Sequence, residues 1–189
     1  MNEEIKKIDL ENHETKNISD SHVNGNLTVI YRDYDKIIKN EPKMVYVSSV
    51  NSLEIKGPHL HKKRNSYFTC IHGKVIFVIK DKNGKYLEIE SSSDNPVLVK
   101  VPKGVVSAHI NPTKEVARVL VLTDLAWKPN DNEMENIIFE NYDWKKWNIW
   151  ISLIHHYILI RILEKNPLSV KIKLDFNYLY NKEFYFFLI

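Results

Sequence analysis

The stretch Lys56-Gly57-Pro58-His59-Leu60-His61-Lys62 places two histidines two residues apart. On a β-strand, residues i and i+2 project from one face, so His59 and His61 would stand side by side. Imidazole is the side chain that titrates nearest neutral pH, which suits it to take up a proton and return it. Two such groups beside a cation can act on an acidic C–H next to a carbonyl. The neutral imidazole removes the proton, and a nearby positive charge or hydrogen-bond donor stabilises the enolate oxygen. His59 and His61 are therefore the candidate acid/base residues, and Lys56 and Lys62 supply the neighbouring charge. The plainer reading is that one histidine is only a satisfied polar group on the strand face.

A second cluster, Val101-Pro102-Lys103-Gly104 with His109 five residues on, reads as a turn feeding another strand. His59, His61 and His109 together would be enough for a three-nitrogen face on a transition metal. Yet His61 is followed by Lys62-Lys63-Arg64-Asn65-Ser66, three cations and no carboxylate, a sequence that disfavours a divalent ion. No metal and no cofactor are expected, and His109 is assigned to substrate binding. Arg118, charged within an apolar run, faces either a pocket or solvent, and is carried as a further binding candidate. Tyr31, Arg32, Tyr46 and Tyr67 could line a pocket, with packing as the default for each. His72, beside Gly73, reads as exposed. Cys70 is the single cysteine, so no internal disulfide can form, and its strand-like setting suggests a buried thiol. No phosphate-cradling glycine loop, nucleophile elbow or CxxC pair occurs.

Short strands must position these groups. Leu27–Arg32, Met44–Ser49, Tyr67–Ile71, Lys74–Lys80, Tyr86–Ser91, Val97–Val101 and Val116–Thr123 read as strands separated by turn chemistry. Asp81-Lys82-Asn83-Gly84 is a hairpin signal of the type I′ kind. No useful helical periodicity precedes Glu133. Residues 1–26 read as a polar N-terminal extension, and residues 27–147 as one all-β domain. Asp124 to Trp147, acidic and aromatic, would lay a short helix or arm across it. Residues 148–189 form a hydrophobic tail, rich in residue types written by A/T-rich codons; it is either a short helical or irregular extension or read-through coding. Ile149–Leu163 is interrupted by His155, His156 and Arg161, which argues against a membrane span.

Net charge is +3 and charged residues make up 27%, scattered along the chain rather than striped, so nucleic acid is not an expected partner. The charged amino terminus shows no secretory signal, and with the lone cysteine this points to the cytoplasm.

From about His22 to Trp147 the chain resembles the double-stranded β-helix cupins (jelly rolls) that modify nucleotide-linked sugars, in particular the dTDP-4-dehydrorhamnose 3,5-epimerase family and its relatives. The resemblance rests on Asn24-Gly25-Asn26-Leu27, Lys56-Gly57-Pro58-His59, Gly73, and Val101-Pro102-Lys103-Gly104. Thr123-Asp124 with Pro129 and Glu133 fits the stretch after the barrel. It implies an all-β cupin fold and a cofactor-independent epimerase in surface-polysaccharide or deoxysugar biosynthesis, with His59 abstracting protons alpha to a C4 ketone. The chain departs from the family pattern in three places. Lys56 replaces the motif arginine, Ser66 the expected lysine, and Leu125-Ala126-Trp127 meets the position of the expected tyrosine. Around His59 the sister group of dTDP-sugar 3,4-ketoisomerases, with R-G-x-H-A-H-K, is similar to K-G-P-H-L-H-K here; that implies His61 as a second acid/base. A non-catalytic sugar-binding cupin is the reading from another class. A homodimer is expected, since pairing protomers covers strand edges.

Overall fold

The computed structural model describes residues 4–38 and 41–147, all within one unit spanning Met1–Ile149. The tail at 148–189 lies outside the described residues. Among the described residues twelve strands are formed in order: β1 (Lys6–Asp9), β2 (Glu11–Lys16), β3 (Val23–Val29), β4 (Met44–Val50), β5 (Ile55–His61) and β6 (Ser66–His72) come first. Then follow β7 (Lys74–Lys80), β8 (Tyr86–Ser92), β9 (Val97–Val101), β10 (Val106–Ile110), β11 (Ala117–Thr123) and β12 (Met134–Asn136). Two five-stranded antiparallel sheets result, ordered β1-β9-β6-β11-β4 and β12-β5-β10-β7-β8, with β2-β3 a separate hairpin.

The sheets face each other across Val50, Phe68, Cys70, Val75, Phe77, Val99, Val119 and Val121. Alternation decides this: on β6, Phe68 and Cys70 turn inward, while on β11 Val119 and Val121 do. β7 reads as an unbroken apolar run because both its faces are covered. Val75, Phe77 and Ile79 fill the interior, whereas Ile76 and Val78 pack under Phe139 and Tyr142. Fully burying a side chain such as Phe77 is worth roughly 1.5–3 kcal/mol. The aromatic segment after β12 is thus an arm clamped over the second sheet, ending in a 3-10 turn at Trp144–Trp147. Residues 8–10 and 30–38 cover part of the first sheet's outer face, against Tyr67, Leu98 and Leu122.

Two expectations are corrected. The polar stretch 6–16 contains two strands: β1 pairs with β9 in register Lys6↔Lys100 to Asp9↔Val97. It was illegible because a four-residue edge strand buries little; its Ile8 alone docks on the core and Lys6, Lys7 and Asp9 stay exposed. The β7–β8 turn also differs from type I′. Gly84 takes a positive φ of 79° but Asn83 does not, and the Asp81 carboxylate accepts from the Asn83 and Lys85 amides at 2.9 and 2.8 Å. That aspartate organises a longer loop, which removes the need for two left-handed residues. Cys70 is fully buried; its thiol donates to the carbonyls of His72 and Gly73, and burial pushes its pKa up.

Candidate active site

β5 carries the histidines, and its register explains which residues face the interior. Ser107 pairs with His59, yet His109 pairs with Lys56, so two steps on β10 match three on β5. This bulge reverses the facing of the strand, and Lys56 joins His59 and His61 on one face; in a regular strand it would point the other way. Gly57 makes the bulge possible. Its φ is +94°, and an added Cβ would stand 3.0 Å from the Ser107 carbonyl oxygen and 3.1 Å from the His59 nitrogen.

These three side chains line a recess of about 160 Å³ between the sheets, together with Tyr46, Ser48, Arg64, Phe68, Ser107, His109, Val121 and Met134. β12 folds back antiparallel on β5, in register Met134↔His61 and Asn136↔His59. Its Asn136 Oδ1 accepts from His59 Nδ1 at 2.9 Å. With the proton fixed on Nδ1, the lone pair of His59 sits on Nε2, an atom with no hydrogen-bond partner among the described residues. Burial, followed by the nearby charges of Lys56 and Arg64, pushes the His59 pKa below its ordinary value despite the opposing Asn136 bond. His59 is therefore a neutral base at neutral pH.

His61 is held differently. Its Nδ1–H donates to Glu133 Oε2 at 2.8 Å, while Arg64 Nη2 donates to its Nε2 at 3.0 Å. A guanidinium can only donate, so the proton on His61 must be on Nδ1. Burial is the main cause that lowers its pKa; Glu133 opposes and Arg64 reinforces. Glu133 and Arg64 are almost wholly buried, at 3% and 8% side-chain exposure. The bend carrying Arg64 is fixed beside it. Asn65 donates through its backbone and side-chain nitrogens to Asp124, and its Oδ1 accepts from the Lys103 amide.

Lys56 reaches across to the first sheet, donating to Ser48 Oγ at 2.6 Å and to the Ser49 carbonyl at 3.5 Å. His109 lies at the apolar floor, edge-on to Phe68 and Phe77 at 4.6 and 4.9 Å between ring centres. Full burial drives its pKa down to about 3, so it is a neutral wall residue, and its Nδ1 has no hydrogen-bond partner. Tyr46 also lines the recess, and burial raises its phenol pKa, keeping the proton on.

The structure thus brings together His59, His61, Lys56 and His109. Lys62 and Arg118 are outside the recess. Lys62 pairs with Glu135 at 2.6 Å, half-exposed, because it follows His61 with opposite parity. Arg118 is exposed, since on β11 the inward residues are Ala117, Val119 and Val121. Neither Tyr31, Arg32 nor Tyr67 reaches the recess. Among the described residues, no group of three or more His, Cys, Asp or Glu side chains is arranged to hold a metal.

The sequence of the family of proteins described as FdtA, WxcM-like C-terminal, matches residues 7–143 of the chain. The chain belongs to this family. Solved structures agree on the fold. A dTDP sugar isomerase from Desulfovibrio desulfuricans superposes with TM-score 0.63 at 18% identity, covering 75% of this chain and 90% of that one. NovW, a 4-keto-6-deoxy sugar epimerase from Streptomyces spheroides, gives TM-score 0.60 at 13% identity over 74% of each chain. A mutant of the 3,4-ketoisomerase QdtA from Thermoanaerobacterium thermosaccharolyticum, in complex with TDP-4-keto-6-deoxyglucose, gives 0.56 at 23% identity, covering 71% and 88%. The architecture of this FdtA-like chain is therefore the cupin jelly roll. No curated protein matches its sequence.

Three polar groups that contact the histidines of this FdtA-like site escaped sequence reasoning: Arg64, Glu133 and Asn136. Arg64 was counted only as a charge against metal. Glu133 supplies the carboxylate that the residues after His61 lack, from 72 positions away, and Asn136 meets His59 across 77. The available signal was weak: Met134 and Asn136 alternate as on a strand, in a segment expected to cross the domain.

Proposed function

We propose that this chain is a nucleotide-sugar epimerase or isomerase in deoxysugar or surface-polysaccharide biosynthesis, enolising its substrate next to a ketone with its own side chains. The observation that carries the reading is His59: neutral, tied at Nδ1, with a free Nε2 facing a recess that also holds the Lys56 and Arg64 cations. His59 Nε2 takes the proton alpha to the ketone, the C–H electron pair forms the C=C bond, and the carbonyl π electrons move to oxygen. Positive charge in a low-dielectric recess stabilises that oxygen. The family membership and the likeness to sugar isomerases and epimerases support the same substrate class.

Where the proton returns distinguishes two outcomes. Epimerisation needs a donor on the other side of the sugar. Tyr46, on the opposite sheet with its phenol kept protonated, favours this version. Ketone transfer needs protons exchanged between neighbouring atoms on one side, which the β5 face favours. Incubation with dTDP-4-keto-6-deoxyglucose in D₂O, followed by NMR at each ring carbon, tests the reading. Deuterium at C3 and C5 indicates the epimerase. Deuterium at C4 with the ketone moved to C3 indicates the 3,4-ketoisomerase. Binding without any exchange would leave a non-catalytic sugar-binding cupin and overturn the enzyme reading.

A homodimer, acting in the cytoplasm, completes the proposal. Among the described strands β4 is a sheet edge, and its outward Val45 and Val47 are 55% and 50% exposed. A second copy laid against this edge would cover both. Light scattering should give twice the chain mass, falling to one chain mass in Val47→Lys; a monomer at all concentrations would refute it. No helix among the described residues is long and apolar enough to cross a membrane.

A further inference from the structure

The two β5 histidines look equivalent in sequence but have different free atoms. His59 keeps one ring nitrogen open to the recess. In His61 both are occupied: Nδ1–H by Glu133 Oε2 at 2.8 Å, and Nε2 by the Arg64 guanidinium at 3.0 Å. Arg64 Nε also lies 3.5 Å from the same Glu133 oxygen, too poorly placed to bond it, and is buried without a hydrogen-bond partner. So a permanently charged guanidinium sits in the wall of the recess, anchored on one side by an imidazole and a carboxylate, with donor capacity left over.

We infer that Arg64, rather than His61, is the second reacting group of the site, donating to the enolate oxygen that forms when His59 removes the proton. His61 is a positioning residue: a neutral spacer that passes the anchoring of Glu133 on to Arg64. This rests on the enolisation reading above and deepens it. The electron pair released at the C–H bond ends on the ketone oxygen, where Arg64 N–H meets it. The proton stays on His59 until it returns to carbon or oxygen. Nothing in this cycle requires His61 to change protonation.

Glutamine separates the roles. In His61→Gln the amide N–H can donate to Glu133 and the amide oxygen can accept from Arg64, while no titrating group remains. Its exchange rate with the 4-keto sugar should stay within about tenfold of the unaltered chain. Arg64→Ala should lose about 10²–10³-fold in kcat, the range for removing one oxyanion donor, with KM moving less, and added guanidinium ion should restore part of the rate. Arg64→Lys, retaining charge, covers the case in which Arg64→Ala fails to fold. A His61→Gln loss as deep as that of His59→Ala, or Arg64 variants that exchange normally, would overturn the inference. Absence of exchange in the unaltered chain would count against the enolisation reading instead. ¹⁵N NMR of the histidine rings then tests the anchoring without any sugar. His61 should show a single Nδ1–H tautomer with a hydrogen-bonded Nε2, and a ring populating both tautomers would refute it.

Discussion

The recess has two walls, built on different principles. The first-sheet wall presents Phe68, Val121, Tyr46 and Ser48, each placed inward by simple strand alternation on β6, β11 or β4. The second-sheet wall presents Lys56, His59 and His61, with Arg64 from the bend beyond, and depends on partners distant in sequence. Packing needs only apolar residues of the right parity. Reactive groups need a fixed proton position and a matched charge, which only a second segment, here β12 and the residue before it, can give. The walls should therefore fail differently when altered: the first by losing shape, the second by losing chemistry or leaving a charge stranded.

The largest effect is expected at His59. Replacing it by Ala removes the open Nε2 and should lower the deuterium-exchange rate about 10²–10⁴-fold, the usual worth of a general base. Its Asn136 partner would then lose a bond at a strand edge, where water can replace it, so thermal stability should change little. Unaltered exchange in this variant would take the base off the second-sheet wall altogether.

Glu133→Ala sharpens the contrast by stranding a cation. Arg64 would keep its charge while losing the buried carboxylate beside it, and breaking such a pair from one side costs about 3–5 kcal/mol. Denaturant unfolding should show that loss, with the midpoint shifted and the slope unchanged. A change below about 1 kcal/mol would mean that the Arg64 charge is balanced by something other than Glu133.

This division also explains what the sequence could reveal. The interior of β6, β7, β9 and β11 was legible because alternating or continuous apolar runs report burial directly, and the His59–His61 pair was legible from its spacing. Lys56 was put next to them by its charge and does line the recess, and the reason it faces inward is the bulge at Gly57, which no alternation rule anticipates. β1 was hidden by polar residues on an edge strand. Arg64, Glu133 and Asn136 meet the histidines only through pairings that local sequence cannot express, and the outward placement of Arg118 was hidden because a charge in an apolar run looks the same whether it faces in or out.

His109 sits where the two walls meet, and pH should report it. Its folded pKa is about 3 against an ordinary 6.5, so the neutral form is the one that the fold retains. Above pH 6.5 its contribution is fully present. As pH falls from 6.5 towards about 3 the unfolded chain takes up a proton that the folded chain refuses, and stability drops by about 1.4 kcal/mol per pH unit. His109→Leu, of similar size and without the unpartnered Nδ1, should flatten the stability curve between pH 6 and 4 by about that slope. An unchanged slope would show that His109 is protonated in the folded protein.

The smallest effects are expected where the sequence saw charge and the fold put solvent. Lys62→Ala breaks a half-exposed pair with Glu135, and pairs of that kind are worth about 0–1 kcal/mol. Arg118→Ala removes an exposed side chain from the outer face of β11. Neither touches the recess, so exchange rates should remain within about twofold of the unaltered chain, a change of under 0.5 kcal/mol in the barrier. Their value is as a test of where the recess ends. A tenfold fall in Lys62→Ala would mean that substrate extends over the rim at β12, where Glu135 holds the lysine. The same fall in Arg118→Ala would instead require the outer face of the first sheet to matter, through a second copy laid against the neighbouring β4.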